Sequence, residues 1–172
     1  MKLVILCVET NKKSNTDAGY IDSVIKQLYF IDSSVKLRYK YLSGKGNYNS
    51  PKILKDIKKD IRALKKDSVW EVVYFIDTDN FESDVEKLCL NKKIENFCQQ
   101  NHYKLVWFCH DVEEVFLHKE VDDTNKKFEM KKFGTEKGLG KATITSLSSK
   151  SKTAKNSNML IILNQILKRK TK

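Results

Sequence analysis

Two carboxylates separated by one residue, Asp77 and Asp79, close the hydrophobic run Val72-Val73-Tyr74-Phe75-Ile76. Acids at i and i+2 of an extended segment project from the same side, near enough to share a hard cation. A run of β-branched and aromatic residues with no polar alternation predicts a strand buried on both faces, as in the centre of a parallel sheet. Open α/β sheets place functional groups at the carboxyl ends of such strands, so the spacing makes Asp77 and Asp79 candidate metal ligands.

A second continuous apolar strand, Lys2 to Val8, ends in Glu9. Parallel and adjacent strands would bring Glu9 beside Asp77 and Asp79. Alone, Glu9 reads as a solvated loop acid. Grouped with the other two it implies a bridging cation or protonation, because three clustered carboxylates otherwise repel. A third strand, Tyr103 to Cys109, is followed at once by His110-Asp111-Val112-Glu113-Glu114. If His110 to His118 is helical, Asp111 and Glu114 share a face while Val112, Val115 and Phe116 point to the core. Acids in a first turn also simply oppose the helix dipole, and His110 at a strand end reads equally as a hydrogen-bonded structural residue.

The elements that must position these groups alternate. Helical periodicity runs from Ile21 to Tyr29, and Val35 to Leu42 alternates apolar with basic residues as an edge strand does. Ser43-Gly44-Lys45-Gly46-Asn47 is a flexible turn. It lacks the glycine and the GK[ST] ending of a phosphate loop. Ser50 and Pro51 start a helix to about Lys66, and Ser83 or Asp84 caps another to about Gln100. The resulting β-α-β-α-β-α-β order predicts an α/β fold with a mostly parallel central sheet and helices on both faces. Lys119 to Ser151 reads as a basic loop, and Asn158 to Leu167 as a closing amphipathic helix with the tail Lys168-Arg169-Lys170.

The chain has 172 residues, one proline and six glycines, the size of one domain spanning 1–172. Cys7, Cys89, Cys98 and Cys109 lie in or beside apolar segments without a CxxC or a histidine at zinc spacing, so they read as free thiols, and zinc is not expected. The absence of a leader-like segment or an apolar run of ~20 residues points to a cytoplasmic protein with no membrane partner. The net charge of +11 is uneven: residues 119–172 carry 14 Lys and Arg against 5 Asp and Glu. Such asymmetry suits a polyanion such as nucleic acid, although a lysine-rich composition also serves solubility.

A glutamate ending the first strand and Ile76-Asp77-Thr78-Asp79-Asn80-Phe81 ending a later one resemble the Toprim domain, and within it the RloB-like and OLD-type nucleases of bacterial defence systems. Asp111-Val112-Glu113 matches the acidic pair that follows a further strand in that family. The resemblance implies a single Toprim-like domain and Mg2+- or Mn2+-dependent phosphodiester hydrolysis of DNA or RNA. Glu9, Asp77 and Asp79 would hold metal, and Asp111 and Glu113 would assist. It also implies a late lysine acting on the phosphate, with Lys152 or Lys155 nearest the final helix. The basic charge of the last third itself makes Lys141, Lys150, Lys152 and Lys155 candidate nucleic-acid contacts. A separate ABC/AAA-type ATPase subunit is the partner the resemblance implies. Thr10 stands where the family usually carries glycine, which admits a second reading: a Toprim module that binds nucleic acid or a protein without cutting. PIN-like nucleases also cluster strand-end acids but favour aspartate where this chain has Glu9. A receiver or flavodoxin-like protein would want a phosphate-binding loop and no basic final third.

Overall fold

The computed structural model describes residues 1–135 and 139–170. Four strands, β1 (Lys2–Val8), β2 (Val35–Tyr41), β3 (Val69–Asp77) and β4 (Lys104–Phe108), form one all-parallel sheet in the order β2-β1-β3-β4. The fold is α/β, with helices on both faces as the alternation predicts.

Burial on both faces explains the uninterrupted apolar runs. In β1, Val4, Leu6 and Val8 pack with Val73, Phe75, Val106 and Phe108 on one side of the sheet, while Leu3, Ile5 and Cys7 pack with Val72, Tyr74, Ile76 and Trp107 on the other. The first face is covered by α1 (Thr16–Leu28), α4 (Val112–Leu117) and α7 (Met159–Ile166), and the second by α2 (Pro51–Arg62) and α3 (Val85–Gln100). β2 is one of the two edge strands, and its basic residues are partly neutralised: Arg38 and Lys40 both pair with buried Asp60 of α2.

The expected helix starts hold at two places. Ser50 caps α2 with Pro51 at its first position, and Asp84 accepts the Glu86 and Lys87 N–H groups at the head of α3. Lys119 to Ser151 is a correction, because it is not simply a basic loop. It contains α5 (Lys126–Thr135) and α6 (Lys141–Ser146). Helix α5 is anchored by few side chains: Phe133 is buried against Tyr20 and Phe116, and Met130 packs where a Cβ at Gly19 would stand. So narrow an apolar stripe, set among Lys126, Lys127, Lys131 and Lys132, leaves little periodicity to read. No helix among the described residues is long and apolar enough to cross a membrane.

Candidate functional site

The acids at the carboxyl edge are held by main-chain contacts that continue the sheet beyond its strands. Val8 is in register with Phe75, and one residue on, the Glu9 carboxylate (Oε2) accepts the N–H of Asp77 at 3.1 Å. Thr78 N–H then donates to Phe108 O at 2.9 Å and Asp79 N–H to His110 O at 2.8 Å. The segment that leaves β3 is thereby tied to the one that leaves β4. From the opposite layer, Asn91 of α3 donates to Thr78 O at 2.9 Å. Asp79 takes a positive φ of 50°, a conformation aspartate tolerates better than most residues.

Asp111 is the N-cap of α4 and accepts the Glu114 N–H at 2.7 Å, so the first-turn expectation describes its local role. Val112, Val115 and Phe116 face the core as expected. Glu113 is only 1% exposed, with Lys126 Nζ 3.4 Å from its Oε2. His110 lies between two acids, its Nε2 3.4 Å from Glu82 and its Nδ1 3.7 Å from Glu114.

Three residues that no sequence pattern marks join the group. Asp17, in the first turn of α1, is buried and accepts the Thr10 N–H at 3.2 Å, closing the polar loop after β1. Lys45 arrives from the turn after β2: Gly44 N–H donates to Glu9 O at 2.8 Å, folding the turn across the end of β1. Its buried ammonium then donates to Asp77 O at 2.7 Å and to Asp79 Oδ2 at 2.6 Å. Gly44 has φ of 108°, which a side chain at that position would resist. Lys126 comes from α5.

The acids surround a cleft. A cavity of about 740 Å³ is lined by Glu9, Asp17, Asp77, Asp79, Asp111 and Lys126, among others. An adjoining cavity of about 590 Å³ shares Asp79, Asp111 and Lys126 and adds His110 and Glu114. Desolvation dominates the electrostatics. It pushes Glu9 up to about 7, opposed by the Asp77 N–H and Lys45 and reinforced by Asp79 and Asp17. Burial likewise carries Glu113 to about 7 despite Lys126, and raises Asp17. Asp77 is held well above the usual carboxylate range, by burial first and then by Asp17, Glu9, Asp111 and Glu113. Burial alone would lower Lys126, but Glu113, Asp111 and Asp77 outweigh it and hold the ammonium charged.

The structure thus brings Glu9, Asp77, Asp79, Asp111 and Glu113 to one edge with Asp17, against the ammoniums of Lys45 and Lys126. The carboxylate oxygens are spread rather than convergent: among the described residues, the one set of three His, Cys, Asp or Glu ligand atoms all within 4.8 Å of each other is Glu82, Cys109 and His110. The late lysines lie elsewhere. Lys141 opens α6, Lys152 pairs with Glu95 of α3 at 3.4 Å, and Lys155 donates its backbone N–H to Cys109 O at 2.9 Å. Neither these three nor Lys150 line either cavity.

Donor chemistry bears on what the edge could hold. Its acids offer oxygen alone, the preference of hard divalent ions. Around the larger cavity Glu9, Asp17, Asp77, Asp79, Asp111 and Asp123 face Lys13, Lys126 and Lys127, and an added cation would relieve that excess. Comparison of the chain with models of protein families, with curated proteins and with solved structures found no match.

Proposed function

We propose that this protein is a divalent-metal-dependent nuclease of the Toprim type, hydrolysing phosphodiester bonds of DNA or RNA with Mg2+ or Mn2+. The observation that carries the reading is that acids following β1, β3 and β4 share one sheet edge, four of them with raised proton affinity. Glu9, Asp77 and Asp79 would hold the metal, with Asp111 beside them. When bound, Mg2+ or Mn2+ supplies an activated water and offsets charge on the scissile phosphate. The chain's own part is positioning. The Asp77 N–H fixes Glu9, the Asp79–His110 main-chain bond fixes Asp79, and Lys126, which lines both cavities, is placed to donate to a phosphate oxygen. By the same resemblance we assign it a cytoplasmic setting as the effector of an antiviral defence system, paired with a separate ABC/AAA-type ATPase subunit.

The test is cleavage of plasmid DNA and of total tRNA with Mg2+, Mn2+ or EDTA, with and without the ATPase encoded alongside. Metal-dependent cleavage lost in Asp77→Asn supports the reading. A specific observation favours one rival, a Toprim-like module that binds without cutting: Lys45 already sits on Asp79, and no three acids of the edge converge within 4.8 Å among the described residues. Salt-sensitive nucleic-acid binding by folded protein that cleaves under none of these conditions would favour that module.

A further inference from the structure

We propose that Glu82, Cys109 and His110 form a second metal site, suited to a borderline-soft divalent ion such as Zn2+ and distinct from the carboxylate edge. Each residue offers one ligand atom, and the three lie within 4.8 Å of one another. Cys109 follows Glu82 by 27 positions, so no short spacing motif announces the group.

The geometry admits a shared ion as well as a direct contact. His110 Nε2 and Glu82 Oε1 are 3.4 Å apart. Bonds of ~2.0–2.1 Å at a tetrahedral angle separate a nitrogen and an oxygen ligand by ~3.4 Å, whereas a direct N–H···O bond draws them to ~2.9 Å. The spacing therefore suits two ligands of one ion, and equally a long hydrogen bond. The other imidazole nitrogen faces Glu114 Oε2 at 3.7 Å. A carboxylate behind the far nitrogen is the arrangement that orients metal-bound histidines.

The backbone of Cys109 is fixed on both sides before any ion arrives. Its N–H donates to Asn156 O and its carbonyl accepts from Lys155 N–H, both at 2.9 Å. Cys109 is inaccessible in the core, while the side chains of His110 and Glu82 are 24% and 51% exposed, so the group has a buried sulfur anchor and an accessible front. Sulfur, imidazole and one carboxylate select zinc-like ions over magnesium. Three protein ligands leave a fourth position for water, as in open zinc centres. The site is also coupled to the acidic edge, because His110 O holds the N–H of Asp79.

The experiment uses the full-length chain carrying Cys89→Ser, which removes the exposed thiol. Metal-stripped protein is titrated with Co2+ and then with Zn2+, and read by absorption. A sulfur-to-cobalt charge-transfer band with tetrahedral d–d bands, saturating at one equivalent and abolished by Zn2+, is expected. Cys109→Ser should remove the charge-transfer band. Glu82→Gln and His110→Gln, at accessible positions, should each weaken binding by roughly tenfold or more, and Glu114→Gln by ~10–100-fold. Asp77→Asn should leave the band unchanged, which keeps this result independent of the nuclease reading. No charge-transfer band, a band that survives Cys109→Ser, or one indifferent to both Glu82→Gln and His110→Gln would overturn the proposal.

Discussion

Glu9→Gln should stabilise the metal-free protein at pH 8 and leave it unchanged near pH 4. Burial raises the Glu9 carboxyl from an ordinary 4.5 to about 7. A raised carboxyl binds its proton more tightly folded than unfolded. Its contribution is therefore fully favourable below 4.5 and is lost as pH rises toward 7. A displacement of that size corresponds to ~3 kcal/mol at pH 8. Glutamine keeps an oxygen to accept the Asp77 N–H and removes the charge, so it should recover most of that loss. In a chain of this length ~3 kcal/mol amounts to ~6–12 °C in Tm. The assay is thermal unfolding in EDTA from pH 4 to 8, wild type against variant, which cancels the general effect of the chain's positive charge. Mn2+ at pH 8 should raise wild type more than the variant. Equal Tm values at pH 8, or a variant less stable there, would show that Glu9 is not held in a desolvated, acid-crowded place.

Other outcomes follow from the same geometry. Asp77→Ala should abolish metal-dependent cleavage while the circular dichroism stays native, since removing it relieves repulsion, whereas Asp79→Ala should abolish cleavage and also lower Tm, because it leaves the buried Lys45 ammonium without its carboxylate; full activity in either variant would take that residue out of the catalytic group. Lys45→Met leaves Asp77 O and Asp79 without their ammonium partner, and should lower Tm by several degrees in EDTA, with part of the loss restored by Mn2+ if the cation takes over its charge. A Tm unchanged by Lys45→Met would mean the pair contributes nothing to the edge. Neutralising Lys150, Lys152 and Lys155 should reduce the salt slope of nucleic-acid binding by ~0.7–0.9 for each lysine–phosphate ion pair that the substitutions remove. An unchanged slope would assign those lysines to the solvent.

β1, β4 and the second half of β3 were legible because burial on two faces leaves no polar residue inside a run, β2 because its apolar and basic residues alternate, and the acids because they end the buried runs. What could not be read is what folding brings from a distance. Asp17 precedes the apolar periodicity that marks α1, so the pattern starts the helix at Ile21, although its buried first turn begins at Thr16. Lys45 looks like turn filler until Gly44 pairs with Glu9 and carries it across two strand ends. Lys126 opens a helix whose apolar stripe is little more than Met130 and Phe133. Cys109 and His110 are neighbours in sequence, but their third partner comes from the turn before α3, which a search for short metal spacings passes by.

The distribution of charge decides how a polyanion could approach. Although the chain carries +11 overall, the carboxyl edge collects Glu9, Asp17, Asp77, Asp79, Asp111 and Glu113, and four of the late lysines lie outside the lining of its cleft. A phosphate entering this cleft meets carboxylates at short range, where screening by solvent is weakest. Lys141, Lys150, Lys152 and Lys155 can raise the local concentration of nucleic acid but do not line the edge. Neutralising it falls to Lys45, to Lys13, Lys126 and Lys127 of the cleft wall, or to added cations. Binding and cleavage should therefore separate by condition: affinity set by ionic strength at the basic surface, and turnover set by divalent cation at the edge. A titration in which Mg2+ or Mn2+ raises the cleavage rate at saturating nucleic acid without tightening binding is the expected form. If the metal acted only through affinity, the carboxylate edge would be a repulsive rim and not the place where the phosphate reacts.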